Sequence, residues 1–158
     1  MKSELKHIIV LLSSIIASGS VFASDTPLAT QTVEMNVALS DPSSLTMQWT
    51  PSPTPLSTDV TTQQEVGVLS VHAKGASYIT LADTKPTQKG VFTFRNGNQS
   101  FLVSAFQNGD GLLPNDDGKI HAAVTSDSAT VTFKASGGLA KLNAGKYTDT
   151  VIVESFAS

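Results

Sequence analysis

Residues 30–40 read TQTVEMNVALS. Val33, Met35, Val37 and Leu39 are apolar, and Thr32, Glu34, Asn36 and Ala38 between them are polar or small. A period of two marks a strand with one buried face. It also fixes alignment, because a slip of one residue would bury Glu34 and Asn36 and expose the apolar set. No Asn-Gly or Gly-rich turn follows to fold this strand back as a tight hairpin. The chain thus carries, near its beginning, a well-patterned strand without an evident partner.

What precedes it is an export signal. Lys2 and Lys6 flank the start of an apolar run, 8–16 (IIVLLSSII), and Val21-Phe22-Ala23 offers small or aliphatic residues to a signal peptidase. Cleavage is expected after Ala23, and the run is too short for the roughly 20 apolar residues of a membrane span. Residues 24–158 then form one domain, large enough for a core of its own. Removing Lys2, Lys6 and Glu4 from the 10 basic and 13 acidic residues leaves 8 and 12. That acidic balance argues against nucleic acid and anionic membrane surfaces as partners. There is no cysteine, so neither a disulfide nor a thiolate site is available, although an exported chain could hold one.

Beyond residue 23 no helical period appears. Strands are expected at 45–49 (LTMQW), 65–73 (EVGVLSVHA), 77–82 (SYITLA), 90–95 (GVFTFR), 100–107 (SFLVSAFQ), 119–124 (KIHAAV), 129–135 (ATVTFKA) and 146–154 (KYTDTVIVE). Asn96-Gly97-Asn98 reads as a hairpin turn, Gly67 as a bulge or a close backbone contact, and 108–118 (NGDGLLPNDDG) as a loop. Three prolines in 50–55 (TPSPTP) suit a stiff surface connection and no central strand. Short strands at this spacing predict an all-β sandwich or barrel in a single domain.

Candidate chemistry is sparse. His72 and His121 lie in strand-like runs without metal-ligand spacing or a triad partner. Asp110, Asn115, Asp116 and Asp117 lack the ligand spacing and terminal Glu of a calcium loop. No G-x-S-x-G elbow or phosphate-binding glycine loop is present. Trp49, the only tryptophan, is expected as a core anchor. No catalytic residue, metal site or cofactor is predicted.

The opposite end supplies a partner for the opening strand. Residues 139–158 read LAKLNAGKYTDTVIVESFAS, a turn at Asn143-Ala144-Gly145 followed at once by a strand with Tyr147 near its start. The sequence stops five residues after Val153, so one position beside this strand is expected to be vacant. An edge of that kind exposes unpaired backbone groups and accepts a strand from another molecule. Tyr147 is expected to act as a sandwich-corner hydrogen bonder.

TVEMNVALSDPSSLTMQW (32–49), EVGVLSV (65–71) and LNAGKYTDTVIVE (142–154) together resemble the structural subunits of bacterial chaperone–usher fibres. The resemblance is to the cysteine-free thin-fibre branch that includes the F1 capsule antigen and the CS3 and SEF14 fimbrins. It covers both ends of the chain and weakens between about 74 and 128. It implies an incomplete immunoglobulin-like sandwich lacking its last strand, with 24–40 a donor-strand extension and 41–158 the pilin domain. By the resemblance, Val33, Met35, Val37 and Leu39 are donor residues. Leu45, Met47, Trp49, Val151 and Val153 line the acceptor groove. Thr150, Ile152, Glu154, Phe156 and Ser158 meet a periplasmic chaperone. The implied partners are that chaperone, an outer-membrane usher and further copies of the chain, in an adhesive, virulence-associated fimbria at the bacterial surface. No host receptor is readable; 108–118 and the region of Tyr78 are exposed candidates for contact with one. The alternative is a self-contained exported binding module, such as a carbohydrate-binding sandwich, that folds as a monomer around its own N-terminal strand.

Overall fold

The computed structural model describes residues 8–10, 32–39, 45–54, 56, 63–137 and 142–157. In the first two segments it describes the backbone and the Met35 side chain. Eleven strands follow in order: β1 (Ile8–Val10), β2 (Thr32–Leu39), β3 (Leu45–Pro51), β4 (Glu65–Ala73), β5 (Tyr78–Asp83), β6 (Phe92–Asn96), β7 (Gln99–Gln107), β8 (Asp110–Gly111), β9 (Ile120–Ala123), β10 (Ser128–Gly137) and β11 (Lys146–Phe156). Among the described residues there is no helix, and so none long and apolar enough to cross a membrane.

The strands form an immunoglobulin-like sandwich. One layer hydrogen-bonds in the order β3-β4-β10-β7-β6, and the other runs β2-β11-β5-β9. They touch as sheets at one point, where Thr148 of β11 pairs with Arg95 of β6. Alternation along each strand decides what lies between the layers. Leu69, Val71 and Ala73 of β4, Phe101, Val103 and Ala105 of β7, and Ala129, Val131, Phe133 and Ala135 of β10 are all buried, with the residues between them half-buried or exposed. Phe101 meets Tyr147 of the opposite layer edge-on at 5.5 Å, within the range of a favourable aromatic pair.

Trp49 anchors the core beside that pair. Its ring packs edge-on against Phe133 at 5.5 Å and lies 6.5 Å from Phe94. Gly67 is what admits it, since a Cβ there would come within 2.5 Å of the indole and 2.7 Å of the Thr50 carbonyl oxygen. Gly67 also lies at a bulge: Phe133 faces Gly67, but the next residue, Lys134, faces Glu65. The extra residue explains why both Val66 and Leu69 are buried despite their spacing of three. Bulge and close contact, alternatives in the sequence, coincide at one residue.

Two expectations change. Residues 108–118 are not wholly loop, because β8 pairs with the end of β7. The turn between them is Asn108-Gly109, with φ of 54° and 92°, the pair of left-handed residues that a two-residue type I′ hairpin requires. The strand expected from Gly90 begins instead at Phe92, because Gly90 takes φ 70° in a turn closed by a Gln88–Val91 bridge. The Asn96–Gln99 hairpin forms as read, with Gly97 at φ 57°. Past Pro51 at the end of β3 the chain bends at the surface over Pro53 and Thr54, tied back where the Ser52 N–H donates to the Val66 carbonyl.

Candidate strand-binding groove

β11 is the longest strand and changes partners along one edge. Thr148 pairs with β6, and Val151 to Phe156 then pair with β5. On its other edge, from Lys146 to Val153, its neighbour is β2. The named strand pairs are otherwise antiparallel, whereas β2 and β11 run parallel. β2 arrives from the far end of the chain rather than through a hairpin, which is why this orientation is open to it.

The register places Val33 opposite Tyr147, Met35 opposite Asp149, Val37 opposite Val151 and Leu39 opposite Val153. Tyr147, Asp149, Val151 and Val153 are the buried face of β11. Met35, the described side chain of β2, is 2% exposed. The side chains of Val33, Val37 and Leu39 lie outside the described residues. Of the residues named for the opposite wall, Leu45 and Trp49 are buried and Met47 is half-buried, and β2 runs close to β3. β1 pairs with the outer edge of β2, Ile8 opposite Leu39 and Val10 opposite Val37. It belongs to the segment that the sequence marks as the export signal.

The residues named for chaperone contact alternate outward. Ile152 and Phe156 are 39% and 36% exposed, and the Thr150 carbonyl accepts the Thr84 N–H. Glu154 accepts from Lys119 Nζ at 2.6 Å and from the Thr80 hydroxyl at 3.2 Å. The Glu154 carboxylate raises the Lys119 ammonium above its ordinary value. Ser158 lies outside the described residues. On the same outer face Phe156 stacks on Tyr78, and Tyr78 on His121, each at 5.0 Å. His121 Nε2 lies 2.8 Å from Asn115 Nδ2, so the Tyr78 region and the 108–118 segment form one surface. Asn115 and Asp117 spend their side-chain oxygens on the Lys119 N–H, the work of turn residues.

The Tyr147 hydroxyl lies 2.9 Å from both the Asn143 carbonyl oxygen and Gln99 Oε1 and shares its one proton between them. A hydroxyl reaching back four residues to the backbone is the corner bond expected of it.

Asp149 is a residue to which the sequence alone assigns no role. It is 5% exposed and sits where β11 leaves β6 and joins β5. Oδ1 accepts the Thr150 N–H at 2.7 Å, while Oδ2 is buried and accepts from no N–H group. Burial, then the charge of Asp83, push the carboxyl group up to about 7, against the pull of the Thr150 N–H and Arg95, and a proton shared with the Asp83 side chain adds to the rise. Asp83 is held in place, accepting the Lys85 N–H at 2.6 Å and the Thr93 N–H at 3.0 Å. Arg95 donates to the Thr93 and Lys85 carbonyls. The available signal is the phase of the strand, because an Asp between Tyr147 and Val151 at spacing two falls on the inward face.

Among the described residues no group of His, Asp and Glu could hold a metal ion. What the site offers is backbone pairing along β11 beside a mostly apolar inward face. No family model and no curated protein matches the chain. A solved structure does: the crystal structure of the E. coli Hda pilus minor tip subunit, HdaB, has a TM-score of 0.60 at 10% identity over 73% of this chain and 85% of that one. That likeness is one of fold.

Proposed function

We propose that this chain is a structural subunit of a bacterial surface fibre, and that β2 fills the groove beside β11 in the next copy. Residues 24–40 are then the donor segment and 41–158 the acceptor domain, exported through the periplasm after loss of residues 1–23. A chaperone guards the groove until an outer-membrane usher exchanges it for the next subunit, in a fibre that adheres to host cells. The pairing of β2 with β11 carries the proposal: the edge of the last strand is completed by a segment from the opposite end of the sequence. Nothing in backbone pairing requires donor and acceptor to share a chain, and loss of residues 1–23 would remove β1 and free the outer edge of β2. The fold shared with a pilus subunit adds support, while the thin-fibre branch rests on the sequence resemblance. The role is structural rather than enzymatic.

Deleting residues 24–40 tests it. The truncated subunit should still bind its chaperone and should fail to extend a fibre; extension at the normal rate would refute donor-strand exchange.

A second reading draws on the same pairing, which lies within one chain. A β2 that stays home makes a monomeric binding module, with the Phe156–Tyr78–His121 surface as a carbohydrate contact. Sizing the purified 24–158 chain without a chaperone separates the two. Polymers favour the fibre, and a clean monomer favours the module.

A further inference from the structure

Asn-Gly occurs twice in the chain, at Asn96-Gly97 and Asn108-Gly109, each time at the tip of a hairpin. The pair is chemically exposed, because glycine puts no Cβ beside the amide nitrogen that follows the asparagine. The two hairpins are unequal. Behind Asn96-Gly97 stand five residue pairs, from Asn96–Gln99 to Phe92–Val103, and Phe92, Phe94, Phe101 and Val103 are buried. Asn96 is itself half-buried, and its Nδ2 fills the space that a Cβ at Gly145 would need. Behind Asn108-Gly109 stand two pairs, Gln107–Asp110 and Phe106–Gly111, and both residues of β8 are exposed. Asn108 and Gly109 are exposed as well, and a Cβ on Gly109 would meet nothing within 4 Å. Among the described residues no hydrogen bond holds the Asn108 side chain. Opening the short hairpin therefore costs little, whereas opening the long one disturbs the core.

We propose that Asn108 is a site of spontaneous modification, converting to aspartate and isoaspartate while Asn96 is preserved. When the short hairpin opens, the Gly109 backbone nitrogen attacks Cγ of Asn108. The new N–C bond closes a succinimide ring, the bond from Cγ to the side-chain nitrogen breaks, and that nitrogen leaves as ammonia with the proton given up by Gly109. Water then adds to one of the two ring carbonyls and reopens the ring. One opening restores the ordinary backbone as aspartate, and the other routes the backbone through the side-chain carbon as isoaspartate. Nothing is oxidised or reduced, and water is the one co-reactant. Either product places a new negative charge beside Asp110. Isoaspartate also lengthens the backbone inside a turn that requires two left-handed residues. The neighbouring Gln107 ties this hairpin to β9, donating to the Ala123 carbonyl at 2.8 Å and accepting the Ala123 N–H at 2.9 Å. The change therefore falls on the surface shared by 108–118 and the Tyr78 region. It does not depend on fibre assembly.

Ageing the full chain tests it without any variant. Folded samples, and samples unfolded in guanidinium chloride, are held at pH 8, digested at intervals and read by mass spectrometry for the amide-to-acid exchange at each asparagine. Electron-transfer fragmentation separates aspartate from isoaspartate. The ratio of conversion at Asn108 to conversion at Asn96 should be at least about tenfold larger in the folded chain than in the unfolded one, because only folding makes the two openings unequal. Isoaspartate should be among the products at residue 108. An equal ratio in both states overturns the proposal. So does an Asn108 that stays intact in the folded chain after several half-lives of its conversion in the unfolded one.

Discussion

Asp149→Asn should make the protein more stable at neutral pH and remove most of its pH dependence there. Asparagine keeps the shape of the side chain and an oxygen for the Thr150 N–H, and it has no charge to bury. The folded carboxyl group is raised to about 7 from an ordinary 3.8, so below pH 3.8 both folded and unfolded chains hold the proton. Between those values the unfolded chain has lost it and the folded chain retains it. Stability therefore falls as pH rises, by about 1.4 kcal/mol per unit, and levels off above about pH 7. The full difference is on the order of 4 kcal/mol, of which about 3 kcal/mol accrues between pH 5 and pH 8. Urea unfolding followed by Trp49 fluorescence, at pH 5, 6, 7 and 8, gives the stability of parent and variant. The variant should gain on the parent steadily to pH 7 and then hold its lead. A difference that stays constant across this range would refute the buried-acid argument.

Other outcomes follow from the packing. Gly67→Ala places a methyl group against the indole of Trp49 and the Thr50 carbonyl, and should cost about 1–3 kcal/mol in urea unfolding. Tyr147→Phe removes a hydroxyl that serves the Asn143 carbonyl and Gln99, with an expected loss of about 1–3 kcal/mol and little change in far-UV circular dichroism. Lys119→Ala breaks an ion pair whose side chains are about one-third exposed, and should cost no more than about 1 kcal/mol by the same measurement. Val37→Lys places a charge at the position opposite the buried Val151, with no acid across from it. It should cost several kcal/mol and abolish fibre extension in an assembly assay, and normal extension would count against the donor role.

Strands are legible in the sequence wherever alternation is strict. β7 and β10 place their apolar residues at spacing two, as β4 does from Leu69 onward, past its bulge, and the layers follow from that. The short β8 escapes such a reading because two residues carry no period; the Asn108-Gly109 pair is the better signal, and it hides inside a loop-like segment. His121 looks unpartnered in the sequence because Tyr78 and Asn115 reach it from a neighbouring strand and from a turn. Asp149 escapes for a related reason. Its inward phase is readable, but the acid of β5 and the arginine of β6 that surround it come from about 66 and 54 residues earlier in the sequence. Only the folded chain brings the three together.

Alternation on β2 also leaves one ambiguity that the fold must resolve. A slip of one residue would present Glu34 and Asn36 to the interior and is excluded by burial. A slip of two would move Val33 or Val37 opposite Asp149, and Met35 opposite Val151 or Tyr147, with apolar residues still facing in. The apolar set therefore fixes which face of the strand is buried without fixing where the strand stops. With methionine or valine opposite Asp149 these registers differ only in side-chain volume and in the fit at the strand ends. A basic residue at position 35 would separate them, because only one register would pair its charge with the ionised Asp149. Met35→Lys should therefore narrow the set of pairings that β11 accepts as the pH is raised.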